Sequence, residues 1–194
     1  MKIHIADPTG LCFGVRRAIS KLEEELLRSG TVYSLGSPIH NPQETHRLTG
    51  MGLVVVESAG SVAFIRAHGV TPLQADILMK KCRKVVDGTC PFVKTAQKRA
   101  KDLSSEGYVV VISGDRHHPE VRGIMGYVEG EVAVVSSEEG IPDNLKGRRC
   151  GILSQTTQKV GSFAALVGSF IKVSPEIKVY NTICKATLAR QDSV

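Results

Sequence analysis

The stretch GYVVVISGDRHHPEVRGIMGY, from Gly107 to Tyr127, decides the fold class. Its run Tyr108-Val109-Val110-Val111-Ile112 is rich in β-branched residues, bounded by Gly107 and Gly114 and too short for a typical helix. It reads as a strand buried on both faces, the kind that parallel sheets of α/β proteins require. Chemistry in open α/β sheets gathers at the carboxyl ends of such strands. There the chain delivers a loop with His117, His118, Pro119 and Glu120, so imidazoles that bind anions and a carboxylate that carries a proton fall within a few residues. An exposed polar loop is the plainer reading of the same residues.

Outward from this strand, a pattern repeats. Before it, Cys90-Pro91-Phe92-Val93 opens a helix to about Leu103. After it come strands at Val132 to Val135 and Arg149 to Leu153, the second reaching Gln155-Thr156-Thr157. A helix from Gly161 to Ile171 and a strand from Ile177 to Tyr180 then lead to Cys184. The same parts occur earlier in the same order. Cys12 precedes a helix from Val15 to Leu27, whose Val15, Ala18, Ile19, Leu22 and Leu26 have helical spacing. Thr31 to Ser34 leads to His40-Asn41-Pro42, Leu53 to Val56 is a strand, and Ser61 to Arg66 leads to Ala67-His68-Gly69. Thr71 and Pro72 start a helix as cap and first-turn proline, which runs to about Cys82, and Lys84 to Asp87 ends at Gly88-Thr89-Cys90. Cys-x-x-Val at Cys12 and Cys90 becomes Cys-x-x-Thr at Cys184. The expected architecture is α/β: two pseudosymmetric small domains with parallel sheets, at 1–88 and 89–183, with 184–194 beginning a third. An opening strand is expected over residues 1–7.

Composition narrows the function. Aromatic residues make up 5% of the 194 and Trp is absent, which argues against stacking platforms for nucleic acid. The net charge of +6 suits an anionic ligand or an acidic partner. The basic clusters Lys80-Lys81, Arg83-Lys84 and Lys94 to Lys101 read first as solvated helix faces. With no apolar run of about 18 residues, a membrane span is not expected. The amino terminus lacks the apolar core of a signal peptide, so a cytoplasmic location follows. Five cysteines without a CxxC pair point to free thiols or metal ligation ahead of disulfides. If each repeat places its first Cys at a helix start, pseudosymmetric packing brings three thiols toward one point, where helix dipoles favour thiolates and a metal cluster. Burial as small hydrophobes is the competing explanation for any one Cys, and it serves for Cys82 and Cys150.

The segments GLCFGVRRAI, IHNPQ, AHGV, DGTCPFV, HPEVRGIMG, SQTT and ICKATLARQ follow one another between residues 10 and 191. Through them the chain resembles the amino-terminal two-thirds of the LytB-type 4-hydroxy-3-methylbut-2-enyl diphosphate reductases, iron-sulfur enzymes of the methylerythritol phosphate route to isoprenoids. The resemblance implies a trefoil of three α/β domains around a 4Fe-4S cluster, with Cys12, Cys90 and Cys184 as its ligands. His40, His68, His118 and Thr156 would line the substrate diphosphate or its hydroxyl. Glu120 would be the proton donor, with Thr156 hydrogen-bonded beside it. The implied reaction removes the hydroxyl reductively and gives isopentenyl and dimethylallyl diphosphate, with a ferredoxin or flavodoxin as electron donor. His4, His46 and His117 match no ligand of the family. The family's third domain, with its Ser-x-Asn segment, has no counterpart after Val194, so this chain alone is expected to be poorly active. A cluster-free α/β module that binds diphosphates through the histidine loops is the alternative, and a zinc-stabilised scaffold a third reading.

Overall fold

The computed structural model describes residues 7, 9–56, 60–136 and 140–193. Apart from Asp7, the strand expected over residues 1–7 lies outside them. The chain divides into two compact units, residues 12–94 and residues 95–194 together with 1–11.

The first unit begins with α1 (Phe13–Ser29), whose Ala18, Ile19, Leu22 and Leu26 form the buried stripe that its sequence period demands. Gly30 ends it in a left-handed conformation, φ 70°, which glycine adopts without a Cβ penalty. There follow β1 (Val32–Leu35), α2 (Pro42–Gly50), β2 (Leu53–Val56), β3 (Val62–Ile65), α3 (Pro72–Lys81) and β4 (Lys84–Asp87). The strands form one parallel sheet in the order β2-β1-β3-β4. The expected start of α3 is a full capping box: Thr71 Oγ1 accepts the Gln74 N–H and the Gln74 side chain accepts the Thr71 N–H.

Helix α4 (Pro91–Ser105) leads into the second unit, which contains β5 (Val109–Ser113), α5 (Pro119–Met125), β6 (Val132–Val135), β7 (Cys150–Ser154), α6 (Val160–Ile171), β8 (Ile177–Tyr180) and α7 (Lys185–Asp192). Its parallel sheet has the order β6-β5-β7-β8, the same permutation as the first. The apolar run on β5 is explained by burial on both faces. Val109 and Val111 pack with Phe163, Leu166 and Phe170 of α6, whereas Val110 and Ile112 pack with Ala96, Ala100 and Leu103 of α4 and Val121 and Ile124 of α5.

Two helices depart from the sequence reading. Asn41-Pro42 and His118-Pro119, expected in loops, are the caps and first turns of α2 and α5. Both helices are short, and a proline at the first position supplies a start signal without the long apolar period that reveals a helix. Lys80, Lys81, Lys94, Lys98 and Lys101 are exposed on their helices. Cys82 packs beside Ala63, Ile65 and Leu78, and Cys150 is fully buried at the start of β7, where burial pushes its thiol up. All five cysteines are free.

Candidate active site at the strand ends

In both units the residues of chemical interest follow the carboxyl ends of parallel strands. In the second unit the turn after β5 ends at His118, the cap of α5, whose Nδ1 accepts the Glu120 N–H at 3.2 Å. With Nδ1 engaged as an acceptor, the neutral ring carries its proton on Nε2. Glu120 sits in the first turn of α5 and is 2% exposed. Thr156, just after β7, donates to both of its oxygens: N–H to Oε1 at 2.7 Å and Oγ1 to Oε2 at 2.8 Å. Burial pushes the Glu120 carboxyl above its ordinary range, and the two Thr156 hydrogen bonds only partly oppose it. The Thr156 hydroxyl can accept from the protonated acid as well as donate to the carboxylate, so the site satisfies both forms. Gln155 fixes the same loop. Its Oε1 accepts the Asp115 N–H, and a Cβ at Gly114 would lie 2.9 Å from that oxygen, so only glycine fits there.

Cys184 caps α7 and follows β8 in the same unit. Its N–H donates to the Thr156 carbonyl at 3.0 Å, and its sulfur accepts the Thr187 N–H at 3.4 Å. Asn181 shapes the approach by accepting the Ile183 N–H at 3.1 Å.

The first unit repeats this construction. Asp87 accepts the Thr89 N–H at 2.8 Å, and the Cys90 N–H donates to the Ala67 carbonyl at 3.0 Å. Cys12 is the cap of α1 and offers that helix no side-chain hydrogen bond. Two positions later stands Gly14, where a Cβ would meet Cys90 Sγ at 2.5 Å. The Cys90 sulfur therefore rests against the helix start that Cys12 caps, in a space that a side chain at 14 would fill. His40 and His68 pair at 4.3 Å between ring centroids, tilted by 48°. His40 also lines a cavity of about 720 Å³ with Ser37, Asn41, Thr45 and His46.

Thus the structure brings Glu120, Thr156, His118 and Cys184 together in one unit, and Cys12, Cys90, His40 and His68 lie in the other. Each of the three thiols stands at a helix start. Within the first unit the Cys90 sulfur has its space kept by Gly14, and thiol sulfur is the donor type that an iron-sulfur cluster takes. Sequence reasoning missed Thr187 and the Asp87/Asn181 turns. Their signals were present: Thr replaces Val three residues after the last Cys, and a short side-chain acceptor stands three residues before Cys90 and Cys184. Among the described residues no helix is long and apolar enough to cross a membrane.

The model for the LytB protein family matches residues 3–194. The 4-hydroxy-3-methylbut-2-enyl diphosphate reductase of Geobacter metallireducens is 43% identical over 195 residues, covering 98% of this chain and 69% of that relative. The reductase of the same name from Aquifex aeolicus is 44% identical, covering 99% of this chain and 69% of its own length. A solved structure of (E)-4-hydroxy-3-methyl-but-2-enyl diphosphate reductase, described as the terminal enzyme of the non-mevalonate pathway, superposes with a TM-score of 0.86 at 44% identity, over 98% of this chain and 71% of the other. The reductase structure from Plasmodium falciparum gives 0.84 at 27% identity, covering 96% and 62%.

Proposed function

The chain belongs to the LytB protein family, and we propose that it carries the reductive dehydroxylation of 4-hydroxy-3-methylbut-2-enyl diphosphate to isopentenyl and dimethylallyl diphosphate. Two electrons and two protons enter, the allylic C–O bond breaks, and water leaves. The observation that carries this reading is the buried Glu120 carboxyl, held by both Thr156 donors beside the loop of Cys184. A leaving hydroxyl needs a proton, and burial keeps this acid protonated above the ordinary carboxylate range. Thr156 holds Glu120 in either protonation state and contacts the substrate hydroxyl.

His40, His68 and His118 bind the diphosphate. An imidazole N–H is a donor for a phosphate oxygen, and Ser37 and Thr45 line the cavity beside His40. Cys12, Cys90 and Cys184 hold the 4Fe-4S cluster, which when bound supplies the electrons and, at the iron without a protein ligand, a Lewis acid. A ferredoxin or flavodoxin, acidic proteins, would reduce it, and the net charge of +6 favours such a donor electrostatically. The reaction belongs to the cytoplasm.

The domains are proposed at 1–88 and 89–183, with 184–194 opening a third. The test is anaerobic loading with iron and sulfide followed by a reductase assay, with and without the part of a relative that this chain does not match. Cluster uptake is expected in both cases, with turnover depending on the added part. Absence of both iron and acid-labile sulfide would overturn this reading in favour of a cluster-free diphosphate-binding module.

A further inference from the structure

One side chain joins the Cys184 sulfur to the loop that holds Glu120. The Thr187 Oγ1 lies 3.1 Å from Cys184 Sγ and donates to the Thr156 carbonyl at 3.1 Å. Thr156 in turn gives its N–H and hydroxyl to the two oxygens of Glu120. Thr187 is half-buried on α7, a helix with no fully buried residue.

The first unit supplies an internal control. Ala67 and Thr156 correspond, because their carbonyls accept the N–H of Cys90 and of Cys184, each at 3.0 Å. Pro42 and Pro119 both open their helices, so Gln43 corresponds to Glu120, and Val93 stands three residues after Cys90 as Thr187 does after Cys184. Gln43, Ala67 and Val93 contain neither an acid nor a hydroxyl. The helix start after Cys90 forms with Val93, so the threonine at 187 is not needed for the helix itself. The acid and both hydroxyls occur together in one unit, where they form one connected path, and all three are missing from the other.

We propose that Thr187 is a positioning residue: its hydroxyl ties the sulfur of Cys184 to the backbone of Thr156 and so holds Glu120 in register with the metal-ligating thiol. This role rests on the reading of Cys184 as a cluster ligand and Glu120 as the acid. In the metal-free chain the Thr187 proton goes to the Thr156 carbonyl and the Cys184 thiol donates to Thr187 Oγ1; once the thiol is deprotonated, the single hydroxyl proton is shared between that carbonyl and the sulfur. A partner just outside the ligand set commonly changes affinity or activity by about 10–100-fold, and hydrogen bonds to a ligating sulfur tune the cluster's electronics.

The test compares the parent chain with Thr187→Val, Thr187→Ser and Thr187→Ala. In the metal-free chain, exchange of the Thr156 amide proton, followed by NMR, should quicken about fivefold in the Val and Ala variants, the loss of one net hydrogen bond. The Ser variant should exchange like the parent. After anaerobic loading, Thr187→Val should hold as much iron and sulfide as the parent but show an altered Mössbauer and EPR signature. In turnover supported by the added part of a relative, kcat should fall about tenfold or more with KM little changed, and Ser should restore it. Parent-like exchange and spectra in both Val and Ala variants, or a Ser variant as defective as Val, would refute the tether. If Val does not fold, Ala against Ser decides. Failure of the parent to take up iron and sulfide would end the ligand reading alone, because the amide exchange in the metal-free chain still judges the tether.

Discussion

Two units with the same strand order place their buried charge in different positions. In the first, Glu25 of α1 is 4% exposed and receives Lys84 Nζ at 2.5 Å and Ser29 Oγ at 2.7 Å. Those bonds, Lys84's above all, hold its carboxyl below the usual range. Leu103 of α4, as far from Cys90 as Glu25 is from Cys12, is fully buried, and Lys178 of β8 pairs instead with Glu106 at the surface. At the strand ends the contrast reverses: Gln43 is exposed, while Glu120 is buried against Thr156. The first unit thus uses an interior carboxylate as a bonded anion. The second keeps its core apolar and buries a carboxyl where burial makes it an acid. Duplicating a sheet reproduces the strand-end positions, and a few side chains decide which of them holds a buried acid.

The comparison breaks most decisively at Glu120. Glu120→Gln gives the second unit the amide of the first; the amide can still accept from the Thr156 N–H and donate to its hydroxyl, so folding should persist. Turnover in the loaded, completed enzyme should fall about 10²–10⁴-fold, the usual worth of a general acid. Gln43→Glu, the reverse exchange, should leave turnover within about twofold, because the position is exposed. A loss smaller than about 10²-fold in Glu120→Gln would show that the proton comes from elsewhere.

Gly14→Ala tests whether the first unit's thiols share a cradle. Alanine favours the helix, yet its Cβ would meet Cys90 Sγ at 2.5 Å. The helical signal in circular dichroism should hold while iron retention against a chelator weakens about tenfold. Unchanged retention would separate Cys90 from the metal site.

The two glutamates should also give the units opposite pH responses. Glu25, with its lowered pKa, stabilises its unit above its ordinary value of 4.5, and this is lost as the pH falls through the lowered value. Glu120, with its raised pKa, contributes below 4.5, and that is lost as the pH rises through the raised value. Residue-resolved hydrogen exchange should show residues 12–94 weakening on acidification and the Glu120 region weakening as the pH rises above 4.5. Parallel responses would refute the contrast.

The smallest effect concerns helix starts. Thr71→Ala removes the capping box of α3 and should cost about 1 kcal/mol in denaturant unfolding. Lys159 caps α6 without a side-chain bond, so Lys159→Ser should add up to about 1 kcal/mol.

Most of the architecture was legible because local physics controls it. The β5 run, the α1 stripe and the Thr71-Pro72 start each announce one element, and the repeated Cys-led order announced two similar units. The short α2 and α5 were not legible, since a capped, proline-led helix of two turns resembles a turn in sequence. The loop expected at His118-Pro119-Glu120 proved to be a helix N-terminus for the same reason.

By itself the sequence determined the α/β class, the strands from β1 to β8 and their parallel pairing, the repeat, and the family, because these follow from apolar periodicity, turn residues and matching motifs. Only the tertiary structure showed that Glu120 is buried against Thr156 while Gln43, its counterpart in the first unit, is exposed. Burial, and therefore the acidity of Glu120, depends on what surrounds a carboxyl; the bonds from Thr156 and the link through Thr187 join residues far apart in the chain. No local pattern encodes the distance between such groups.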